Sequence, residues 1–189
     1  MLIAQQKRKE NIAEYLLYLW QVEDLLRACH LDIDTVDKVV ISRYDVDSNT
    51  RHEIRQWYES LIKMMELENV RDKGHIRVCH NVLIRLGDLH AQLLADQGRF
   101  PDYHADYYRT LPHIVQLRAT LPEQDRPSEL ETCFNALYGV MMLHLQGKEV
   151  SQDTAAAISQ ISHFIGLLAA YYKRDEEKPL FAEDLNDNL

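Results

Sequence analysis

Glycine and proline are scarce in this 189-residue chain, at six and five residues. A β-sandwich or doubly wound α/β protein of this length needs more turn residues, so the shortage points to helices. Basic charge is also short. Twenty-one Lys and Arg against thirty Asp and Glu leave a net charge of −9. Such a field repels a polyanion, so nucleic acid is not an expected partner. Cysteine is limited to Cys29, Cys79 and Cys133, an odd number with no two close together. They offer neither a disulfide framework nor a C-x-x-C zinc or redox pair, and free thiols suit a reducing cytosol. No stretch approaches the ~18 uninterrupted apolar residues of a membrane span. The opening "MLIAQQKRKE" turns charged too early for a signal peptide. The expected setting is cytoplasmic, with no membrane partner.

Motifs are missing as well. The chain has no P-loop, no G-x-G-x-x-G turn and no G-x-S-x-G elbow. It also lacks H-x-x-x-H and E-x-x-H, the spacings that put two metal ligands on one helical face. No cofactor and no catalytic residue is assigned on these grounds.

What the chain does have is helical periodicity. Apolar stripes at 3.6-residue spacing predict helices over residues 5–29, 34–43, 49–69, 74–96, 101–120, 129–146 and 152–174. Asp34 reads as the N-cap of the second, and Gly98 as a glycine closing the fourth. Pro112 should interrupt the fifth. Ser128 and Glu131 form an S-x-x-E capping box for the sixth, which Gly147 closes. The third and fourth stripes run nearly in phase, but one rod of ~48 residues would be ~72 Å long. A compact domain of this size has a radius of gyration of only ~16 Å, so a turn is expected near residues 69–74. The reading is an all-α fold: a single-domain antiparallel bundle of six to seven helices over residues 1–174. The apolar stretch "ALYGVMMLHL" is expected at its centre, and residues 175–189 as an acidic, mobile tail.

Five polar residues fall on apolar stripes. Glu23 lies between Leu16, Leu19 and Trp20. A carboxylate there must be paired, hydrogen-bonded or neutral, as a general acid or base or as a structural partner of a neighbouring helix. In "DKGHIRVCHN", His75 and Cys79 fall within the stripe of the fourth helix, with His90 further along it and His80 at its edge. Asp72, His75 and Cys79 would form a transition-metal set if they converged. The plainer alternative is a small buried thiol beside hydrogen-bonded core histidines. His144 occupies the corresponding face of the sixth helix. "DVDSNTRHEIRQ" matches an EF-hand loop at Asp45, Asp47 and Asn49 but has Thr50 where the loop needs glycine and Gln56 where it needs glutamate. Those residues are better explained as the N-terminal cap of the third helix. Ser162, Gly166 and Ala170, spaced by four, predict close packing of two helices, within the chain or across a dimer seam.

The opening "MLIAQQKRKENIAEYLLYLWQVEDLLRA", with the length and the helical pattern, resembles an uncharacterised, all-helical domain-of-unknown-function family of Bacteroides-type bacteria. The resemblance covers essentially the whole chain. It implies a helical domain in a bacterial cytoplasm, and no residue inherits a role from it. The expected function is non-catalytic, exercised through a homodimer or a protein partner. The alternatives are a small-molecule binder or enzyme using an inter-helix pocket, and a metal-binding helical protein.

Overall fold

The computed structural model describes residues 2–181. Among them the protein is all-helical, with no strand. Eight α-helices follow in order: α1 (Leu2–Glu10), α2 (Ile12–Ala28), α3 (Ile33–Val39), α4 (Ser48–Leu67), α5 (Arg77–Ala95), α6 (Pro101–Ala119), α7 (Glu129–Leu145) and α8 (Gln152–Glu177). Single 3₁₀ turns follow α3 and α6.

The chain forms two compact units. The first is drawn from the chain up to Val82 apart from Asn11–Ala13, and the second from Asn11–Ala13 and the chain from Leu83 onward. The first has Leu16, Trp20, Leu26, Val36, Tyr58 and Met65 at its core. The second has Leu86, Leu93, Tyr103, Ile114, Phe134 and Phe164.

Helix ends explain most of the differences from the periodicity. The expected first helix is two, because the Asn11 side chain accepts the Ala13 N–H (3.0 Å) and restarts the helix there. The second predicted helix is capped by Asp32, whose carboxylate accepts the Thr35 N–H, and not by Asp34. Asp47 caps α4 through the Asn49 and Thr50 N–H groups, which accounts for the calcium-like residues. Hydrogen bonds from Thr50 hold the Asp47 carboxyl below its usual range.

Three helices end in the same two-bond motif with a left-handed residue. His30 (φ 56°) closes α2, Asn69 (φ 58°) closes α4 and Gly147 (φ 70°) closes α7. In the last, Lys148 N–H reaches Leu143 C=O and Gly147 N–H reaches His144 C=O. Asn69 places the expected turn between α4 and α5. Gly98 takes no left-handed conformation, so its expected role as a cap is corrected. There the Asp96 side chain accepts the Arg99 N–H instead (3.0 Å).

α6 runs through Pro112 without ending. Thr110 and Ile114, one on each side, are fully buried, and their packing outweighs the one lost backbone bond. α8 continues three residues beyond Arg174, into the segment expected as a tail. Of that tail, residues 182–189 lie outside the described residues. By length and composition α8 could also cross a membrane. It is nonetheless two-faced: Ile161, Phe164, Ile165 and Leu168 are buried, whereas Ser159, Ser162, His163 and Gly166 are exposed.

Candidate functional site

The first unit carries the polar cluster anticipated around Glu23. α2 projects Glu23 and, one turn later, Arg27 toward residues 70–76, which lead into α5. Glu23 is buried, with 2% of its side chain accessible. One carboxylate oxygen accepts the backbone N–H of Ile76 (2.8 Å), and the other accepts Nδ1–H of His75 (2.5 Å). The Cys79 thiol donates more weakly to the first oxygen (3.8 Å). The indole of Trp20 stacks on the His75 ring at 4.2 Å between centroids and 10° between planes.

Arg27 complements Glu23. It donates to the carbonyls of Val70 (3.1 Å), Arg71 (3.3 Å) and Gly74, while Asp24 holds the guanidinium at 2.8 Å. Glu68 accepts the Arg77 N–H. One helix face thus supplies an acceptor to the start of α5 and donors to the loop before it. Free N–H groups at a helix start need acceptors, and carboxylates also suit the positive end of the dipole.

This geometry favours structure over chemistry. Both Glu23 oxygens are engaged. Burial, and then the Glu23 charge, raise the Cys79 pKa, which keeps the thiol protonated and weak as a nucleophile or ligand. Asp72 is exposed, whereas Cys79 is fully buried, so the proposed metal trio does not converge. Among the described residues no group of three or more His, Cys, Asp or Glu side chains is placed to hold a metal. His75 itself is 23% accessible.

The other two candidates lie in the second unit. His90 sits among the rings of Tyr103, Tyr107 and Phe164, with Nδ1 2.6 Å from the Tyr103 hydroxyl. Burial raises the Tyr103 pKa, so its hydroxyl stays the donor and Nδ1 accepts. Burial also lowers the His90 pKa, with Glu129 opposing weakly. A histidine kept neutral in the fold lends stability that is complete above the unfolded value of ~6.5 and is lost as pH falls below it. Between pH 7 and pH 5 the wild type should therefore lose more stability than a His90→Leu/Tyr103→Phe double variant. Urea midpoints at the two pH values check this, and equal losses would refute it.

His144 corrects the reading. It is exposed, and so are Leu145 (69%) and Gly139 of the same helix, while Leu137, Val140 and Met141 are only half-buried. The second half of α7 is therefore not the centre of a bundle. Its apolar face borders a groove of about 750 Å³, lined by Leu137, Val140 and His144 from α7, Val150, and Ala155 to Leu167 of α8. Ser162, Gly166 and Ala170 are exposed too, so this line does not mark packing within the chain.

Asp106 escaped notice in the sequence, because "PDYHADYYRT" reads as an ordinary amphipathic turn. It is buried, and one of its oxygens accepts from Gln160 (3.1 Å), which also donates to Thr110 (3.1 Å). Arg109 and His163 approach the same oxygen at 3.7 and 3.8 Å.

These features describe an all-α protein with a structural polar clasp and an uncovered apolar groove. The chain belongs to the family described as Domain of unknown function (DUF4924), matching over residues 1–179. No curated protein and no solved structure matches it.

Proposed function

We propose that this protein is a non-catalytic, cytoplasmic helical protein that works by self-association through the α7–α8 face. One observation carries the reading: a groove of about 750 Å³ lined mainly by apolar side chains of α7 and α8. Contiguous exposed apolar surface is characteristic of interaction sites. Three buried free cysteines fit a reducing compartment.

A small apolar ligand is the second reading, since the volume falls within the ~300–1,000 Å³ of ligand pockets. However, Glu23, His75 and His90 do not line the groove, and among the described residues no Asp, Glu, Lys or Arg does. Among the described residues, the polar side chains of the lining are two histidines and two serines, a sparse set for fixing a ligand's orientation. Hydrogen exchange at two protein concentrations separates the readings. Self-association requires amides within residues 137–167 to gain protection as concentration rises. Protection that is independent of concentration would overturn it.

A further inference from the structure

We infer that the first unit holds a binding site for a small organic cation, one ring or branched alkyl group carrying a protonated amine. The site is a cavity of about 210 Å³ between the start of α1, residues 44–46 and the first turns of α4. It shares no lining residue with the α7–α8 groove. Thr50, Glu53 and Ile54 reach it from one face of α4, as their i, i+3, i+4 spacing dictates. A cavity of ~150 Å³ accepts benzene, so this one has room for a single ring and a short chain.

The walls select the charge of the occupant. Ile3, Val46 and Ile54 supply apolar surface for its body. Most of the nearby polar groups are already engaged. The Thr50 hydroxyl donates to the Asp47 carboxylate (2.7 Å). The Tyr44 hydroxyl pairs with buried Tyr58. Arg51, the neighbouring cation, donates to the Tyr44 carbonyl (3.2 Å) and is not part of the lining.

Glu53 differs from these. It lines the cavity, and among the described residues it has no ion pair or hydrogen bond. It is also exposed, and so hydrated. A neutral ligand covering it would strip that water and leave the carboxylate unpaired, and an anion would meet like charge. A protonated amine supplies the missing charge. The Gln5 amide oxygen offers it a second acceptor, and the Tyr44 ring a surface that attracts cations. The net charge of −9 draws cations to the chain as a whole. A metal ion is the weaker occupant. Calcium takes about six to eight oxygens, whereas one carboxylate and one free amide line this cavity among the described residues.

Titration of the full-length protein with benzylamine, phenethylamine and isoamylamine, followed through its backbone amide NMR signals, tests the site. At least one amine should shift the amides of residues 3–5 and 44–54 saturably. Phenethyl alcohol and phenylacetate carry a hydroxyl or a carboxylate in place of the ammonium, and should bind at least about tenfold more weakly. Glu53→Gln keeps the shape of the side chain and breaks no bond among the described residues, so it should fold as wild type does. Its affinity for the amine should nonetheless fall at least about tenfold. Shifts confined to other residues, equal binding of phenethyl alcohol, or unchanged affinity in Glu53→Gln would each overturn the inference. So would the absence of shifts with all of the amines.

Discussion

Glu23→Ala should destabilise the protein by about 3–5 kcal/mol, the range for removing one partner of a buried polar network. The change strands the Ile76 N–H and the His75 Nδ1–H and removes the acceptor of the Cys79 thiol. Glu23→Gln should cost less, about 1–2 kcal/mol, because the amide oxygen can keep the Ile76 bond while its NH₂ faces a donor. Urea denaturation orders the three proteins. Equal midpoints for wild type and Glu23→Gln would contradict the clasp.

Gly166→Glu should act in opposite directions on folding and on assembly. The new side chain meets open space, and glutamate is a better helix former than glycine, so the single chain should gain about 0.5 kcal/mol or more. At an α7–α8 interface it adds a carboxylate from each copy to a groove in which no described Asp, Glu, Lys or Arg is available to pair with it, and unpaired buried charge is strongly disfavoured. Dimer affinity should fall at least about tenfold, equivalent to ~1.4 kcal/mol. Thermal melting at low concentration reports the first effect, and light scattering at high concentration the second. An unchanged dimer would place the interface elsewhere.

Local chemistry was the part legible in the sequence. Asp47 and Ser128 cap their helices through their own side chains, and such bonds span only three residues. Glu23 stood out because a carboxylate inside a stripe of Leu16, Leu19 and Trp20 must be satisfied. Its partners did not, because His75 lies 52 residues away and only tertiary packing brings it near. His144 shows the converse limit. Periodicity identifies an apolar face but not whether anything in the chain covers it. Pro112 shows the same limit, since burial of Thr110 and Ile114 on both sides overrides the local penalty. Asn11 breaks the first helix through a side-chain bond to the Ala13 N–H that the apolar pattern does not register.

The central claim is that the α7–α8 face joins two copies, and sedimentation equilibrium of the full chain over a wide concentration range tests it most directly. The account requires the mass to rise toward twice the 22.2 kDa of one chain, and to do so for wild type but not for Gly166→Glu. A mass that remains at one chain at every concentration would contradict it.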